Sequence, residues 1–174
     1  MGQESNFQGL LSQELQKQAD LEAEIQRVIN LSKINNSGGT PSASGYSWPL
    51  AGYSQGSLVY GVGTFIPYGY SEQYFPGVFH TGIDIYGSAI LSASAGIVAM
   101  AGNCGGYGYC VMVQNGNQLA IYGHMDSLAV TTGQSLSIGT YLGQVGSTGN
   151  STGPHLHFEV RVNGYSTDPL GYLP

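Results

Sequence analysis

Charge is what this 174-residue chain has least of: 8% of residues are charged, four Lys and Arg stand against ten Asp and Glu, and the formal net charge is −6. Past Lys33 the only basic residue is Arg161. Phosphate binding needs clustered Lys and Arg, so the balance argues against a nucleic-acid partner and excludes a polybasic membrane-surface patch. No run approaches the roughly 20 apolar residues that span a bilayer. The basic start and apolar run of a signal peptide are also missing, so the chain reads either as cytosolic or as a trimmed mature form, with "MGQESNFQG" resembling an expression remnant. Cysteine is equally scarce. Cys104 and Cys110 are the only two, six residues apart across a Gly-rich turn, and no His is close to them in sequence, so a Cys-based zinc site is not expected. A hairpin there brings two Cα atoms within the roughly 4.4–6.8 Å of a disulfide, which would fit an oxidising compartment; two reduced, buried thiols are the alternative.

Glycine (28) and tyrosine (13) are plentiful. Little charge, many turns and many aromatics predict a β-rich protein rather than a helical bundle. The helix formers are concentrated in residues 10–34, where Phe7, Leu11, Leu21, Ile25 and Val28 fall on a and d positions of a heptad frame that Glu14, Gln18 and Ser32 interrupt. Residues 1–34 are therefore expected to form an N-terminal amphipathic, coiled-coil-like helix, able to pair with another chain or to fold onto the domain. Residues 35–45, "NNSGGTPSASG", read as a flexible linker. From Tyr46 the texture changes to short apolar or alternating runs between Gly-rich turns, with "QNGNQ" carrying the Asn-Gly sign of a tight hairpin. Residues 46–174 are expected to be one mainly β, largely antiparallel domain, long enough to enclose a single core.

All four histidines lie in that domain, at expected strand ends. In "GPHLHFEV", His155 and His157 are two apart in a strand and therefore face one point. In "FHTGIDIYG", His80 and Asp84 are four apart; extended, that span covers about 13 Å, too far to share a metal whose bonds are about 2 Å. Convergence of the two therefore demands a bend or bulge at Gly82. His124 follows an alternating strand in "LAIYGHMDS". Catalytic zinc takes three ligands from His, Asp and Glu and keeps one position open. Five candidates for three places leave two histidines for proton transfer beside a metal that polarises carbonyls. The spacing does not say whether His155 or His157 is the ligand.

The set "HTGID", "YGHM" and "GNSTGPHLHFEVRVNG", in this order, closely resembles the lysostaphin and LytM type of zinc metalloendopeptidase, which cleaves peptidoglycan. The resemblance covers residues 46–174 and implies a twisted antiparallel sheet with a narrow groove over Zn2+. Carried over by position, it implies His80, Asp84 and His157 as zinc ligands, His155 as general base and His124 as the histidine that polarises the carbonyl or stabilises the tetrahedral intermediate. A tyrosine before the first ligand often donates to the oxyanion in this family; Tyr74 is the nearest candidate and Tyr70 the other. The segment from Tyr60 to Phe79 and the loop from Asn103 to Tyr109 are expected to wall the groove. The resemblance further implies an extracellular or cell-envelope setting, a peptidoglycan peptide substrate, and a protein or membrane-complex partner reached through residues 10–34. Two other classes stay open: a non-catalytic activator of a separate cell-wall amidase, and a β-sheet sugar-binding module using tyrosine platforms. Neither explains five metal-suited residues in this order as directly as an enzyme does.

Overall fold

The computed structural model describes residues 45–52 and 80–174, together with positions 9, 12, 13, 15, 16, 19 and 23, which are helical and exposed. The heptad residues Phe7, Leu11, Leu21, Ile25 and Val28, and residues 35–44 of the expected linker, lie outside the described residues.

Nine strands, all paired antiparallel, form one sheet among the described residues. They are β1 (Ile83–Ile85), β2 (Ala89–Leu91), β3 (Gly96–Asn103), β4 (Tyr109–Asn115), β5 (Gln118–Leu128), β6 (Ser135–Leu136), β7 (Tyr141–Val145), β8 (Leu156–Val162) and β9 (Tyr165–Thr167). The main path runs β1-β8-β5-β4-β3-β6, while β7 joins β2 to β5 and β9 pairs with β8. The expected mainly β, antiparallel architecture is what the chain adopts, and the only helical turns after residue 80 are the short 3-10 segments Gly105–Tyr107 and Pro169–Gly171.

Two hairpins show how turn chemistry sets register. Between β4 and β5 the two loop residues are Gly116 and Asn117, with positive φ at Gly116 only. Between β8 and β9 both loop residues, Asn163 (φ 53°) and Gly164 (φ 89°), are left-handed, which is the Asn-Gly type I′ pattern that matches strand twist.

Alternation then sorts the central strands onto two faces. Val111 and Val113 of β4, Ala120 and Tyr122 of β5, and Leu156, Phe158 and Val160 of β8 join the larger core with Trp48, Ile83, Ile85 and Leu142. The opposite face carries Cys110 and Met112 of β4 and Leu119 and Ile121 of β5, packed with Cys104 and Tyr107. On β8 that opposite face is polar: His157, Glu159 and Arg161 stand across from Gly123, Ile121 and Leu119. The sheet centre is thus buried on both sides, and its second face changes from apolar to polar where β5 meets β8.

Cys104 and Cys110 form a disulfide with Cα atoms 5.8 Å apart, closing the turn that carries Tyr107. Of the two expected alternatives, the oxidised one holds. Chain-entropy arithmetic for so short a loop gives about 2 kcal/mol. The double variant Cys104→Ala/Cys110→Ala is expected to melt roughly 5–12 °C lower, measured by calorimetry; an unchanged Tm would show that the turn is held by its hydrogen bonds alone.

Candidate metal centre

The centre is assembled at the β1/β8 pairing. Asp84 lies directly opposite His157 in the antiparallel register, so both side chains leave the sheet on the same face. A bend at Gly82 turns the preceding chain back and returns His80 to Asp84, as the four-residue spacing demanded. Only glycine fits there. A Cβ at position 82 would run into the Phe158 carbonyl oxygen and lie 2.9 Å from His157 Nε2.

Asp84 Oδ1 is 3.0 Å from His80 Nε2, 3.0 Å from His157 Nδ1 and 3.6 Å from His155 Nε2. One donor atom from each of His80, Asp84 and His157 lies within 4.8 Å of the others, the sole such cluster among the described residues. Two imidazoles and a carboxylate converging from three backbone positions make a donor set that zinc accepts. Burial pushes the Asp84 carboxyl up, but the hydrogen bonds from His157 and His80 outweigh it and hold the group far below the usual carboxylate range. For His157, burial works against the charged form, yet bonding to Asp84 and Glu159 raises it to about 9. His157 thus lies between two carboxylates, with Nδ1 facing Asp84 at 3.0 Å and Nε2 facing Glu159 at 3.5 Å.

The remaining two histidines stand beside this cluster. His155 enters through a bridge to Gly146 just before β8, and its Nδ1–H donates to the Gly153 carbonyl at 2.8 Å, which leaves Nε2 facing Asp84. His124 gets there differently. Strict alternation would place it on the Tyr122 core face, away from His157. Instead β5 bulges against β4 between Tyr122 and Met125, and His124 adopts φ 60°, a left-handed conformation rare outside glycine. The bulge swings the ring to within 4.8 Å of the His155 ring and 5.9 Å of His157. Its Nδ1–H donates to the Thr148 carbonyl at 2.8 Å, and burial lowers it to about 4, so the ring is neutral at pH 7 with its Nε2 lone pair free for the site.

Behind His157 lies an acid outside the five residues that the motifs single out. Glu159 is fully buried, and its Oε2 takes hydrogen bonds from Tyr107 and from Thr81 (2.6 Å) with His157 Nε2 at 3.5 Å, while Oε1 accepts from Arg161 Nε (2.5 Å) and Ser166 (2.9 Å). Burial raises Glu159, but Arg161 and then His157 bring it down to about 2. The Tyr107 ring also lies 5.3 Å from the His157 ring, so the disulfide-closed turn packs against His157. A signal for Glu159 was present: "HLHFEVRV" alternates polar and apolar without exception, which puts His155, His157, Glu159 and Arg161 on one face. Tyr70, Tyr74 and the segment from Tyr60 to Phe79 lie outside the described residues.

The model of peptidase family M23 matches residues 78–169, a span that includes the candidate residues His80, Asp84, His124, His155 and His157. The DD-carboxypeptidase/endopeptidase Mpg of Neisseria meningitidis is 39% identical over 95 residues, covering 52% of this chain and 22% of that protein. The murein hydrolase activator NlpD of Escherichia coli is 42% identical over 98 residues, 53% of this chain and 26% of that protein. The chain therefore spans only about a quarter of the length of these curated relatives. Among solved structures, the catalytic domain of the antimicrobial peptidase lysostaphin from Staphylococcus simulans aligns with a TM-score of 0.54 at 30% identity, over 65% of this chain and 91% of that one. With an antiparallel sheet that closes His80, Asp84 and His157 onto one point and a family match over more than half its length, this chain belongs to peptidase family M23.

Proposed function

We propose that this chain is a zinc-dependent endopeptidase that hydrolyses peptide bonds in the stems or cross-bridges of peptidoglycan. The observation that carries the proposal is the completeness of the site: three converging donors and, beside them, two histidine rings 4.8 Å apart whose Nδ1 atoms are both engaged by backbone carbonyls. His80, Asp84 and His157 would hold the ion. Zinc there supplies a Lewis acid for the scissile carbonyl and lowers the pKa of water towards 7.

The chain's own residues handle the protons. Because the Gly153 carbonyl can only accept, the His155 proton sits on Nδ1, and Nε2 offers a lone pair to the attacking water. His124 is held in the same tautomer by the Thr148 carbonyl. Its Nε2 therefore donates to a developing oxyanion only after taking up a proton, which the neighbouring His155 ring, 4.8 Å away, is placed to pass on. As the C–N bond breaks, that proton leaves for the amine nitrogen. An envelope location accords with this role, with the relatives' murein-directed names and with the disulfide, which belongs in an oxidising compartment. The helical residues near the N-terminus are left for recruiting a protein or membrane-complex partner, and residues 46–174 for the catalytic domain.

The relative named as a murein hydrolase activator favours a second reading, in which the domain switches on a separate amidase. Digestion of purified cross-linked peptidoglycan by the zinc-loaded protein, with products identified by mass spectrometry, separates the two. New amino termini at one defined linkage are expected, and His155→Ala, still holding zinc, should lower kcat/KM by about 10²–10⁴-fold. No cleavage by protein shown to hold zinc would establish the activator reading instead.

A further inference from the structure

We propose that Glu159 is a positioning residue for this site: its buried carboxylate accepts a hydrogen bond from the Nε2–H of His157 and thereby aims Nδ1 at the metal. The inference rests on the zinc reading above. A fully buried carboxylate costs several kcal/mol of lost hydration, and apolar residues of like volume serve stability as well or better, so its place in the core asks for a reason beyond packing. Four of its five partners, Thr81, Tyr107, Arg161 and Ser166, only anchor it. The fifth is His157.

A neutral imidazole carries one N–H, and the acceptor it meets decides which nitrogen bears it. Both ring nitrogens face carboxylates, Nδ1 with Asp84 at 3.0 Å and Nε2 with Glu159 at 3.5 Å; with Asp84 and His80 engaged on the ion, Glu159, which already receives four other donors and can only accept, would keep the proton on Nε2 and leave the Nδ1 lone pair for the metal. Glu159 also distinguishes the two flips of the ring. The alternative flip would present a C–H to both carboxylates at once. Tyr107 supports the arrangement twice over, through its hydroxyl on Oε2 and its ring against His157, and it sits on the turn closed by Cys104 and Cys110.

The test uses the full chain. In the Zn2+-loaded protein, long-range proton–nitrogen NMR should show the His157 proton on Nε2 and a metal-shifted Nδ1. Glu159→Gln turns one of the two oxygens into a donor. It is expected to weaken Zn2+ affinity about 10–100-fold in a chelator competition and to shift the visible absorption of the Co2+-substituted protein. Ser166→Ala, which trims a donor from the other oxygen, should move neither. A proton found on Nδ1 of His157, or a Glu159→Gln protein with unaltered Zn2+ affinity and Co2+ spectrum, overturns the inference. The NMR result decides even where the Gln variant fails to fold. Failure of the unsubstituted protein to bind Zn2+ would sink the metal reading itself, an outcome separate from either.

Discussion

Replacing Asp84 by alanine is expected to abolish metal binding and peptidoglycan cleavage together while leaving the sheet intact. Asp84 Oδ1 is the atom on which His80 and His157 both converge at 3.0 Å, and it is the only anionic member of the donor set. Its loss leaves two imidazoles and removes the charge that balances the dication. Zn2+ affinity should therefore drop by more than the ~100-fold that losing an outer partner brings, and activity should fall to that of protein stripped by a chelator. The side chain is 23% exposed at the mouth of the site, and its β1 neighbours Ile83 and Ile85 hold the strand in the core without it. Far-ultraviolet circular dichroism should be unaltered. Equilibrium dialysis with Zn2+ and the digestion assay check the two halves. Wild-type metal content in Asp84→Ala would refute the ligand assignment, and unaltered binding to glycan would favour the sugar-binding class.

Glu159→Ala is expected to be the most destabilising single substitution. It takes the carboxylate away from the buried Arg161 guanidinium and from the hydroxyls of Thr81, Tyr107 and Ser166 at once. Removing one member of a buried ion pair costs about 3–5 kcal/mol, because the partner charge stays desolvated. For a domain of this size that is roughly 10–20 °C in Tm. Thermal unfolding of the metal-free proteins measures it apart from any effect on zinc. A loss under 1 kcal/mol would mean that Arg161 and the hydroxyls find other acceptors, and that the network is looser than its distances imply.

Much of this molecule could be read from its residues in order. Antiparallel β structure followed from short alternating runs between glycine turns. The bend at Gly82 followed from the length of four extended residues set against the length of a metal bond. The pairing of Cys104 with Cys110 was one of two outcomes the spacing allowed. Residues 10–34 and the tyrosines at 70 and 74 could be named from the sequence, and most of them lie outside the described residues.

What alternation along one strand determines, the sequence determined by itself: His157 and its i+2 neighbours share a face because a strand has period two. That is a local rule, and it needs no partner. What depends on register between strands, only the tertiary structure decided. Asp84 meets His157 because β1 aligns with β8 residue for residue. His124 reaches the site because β5 carries one extra residue against β4, which reverses the face that local alternation assigns to it. Glu159 becomes the anion behind the candidate metal centre because Thr81, Tyr107 and Ser166 arrive from three other segments to satisfy it. A buried charge is tolerable only where distant donors converge, and such convergence is a property of the assembled sheet.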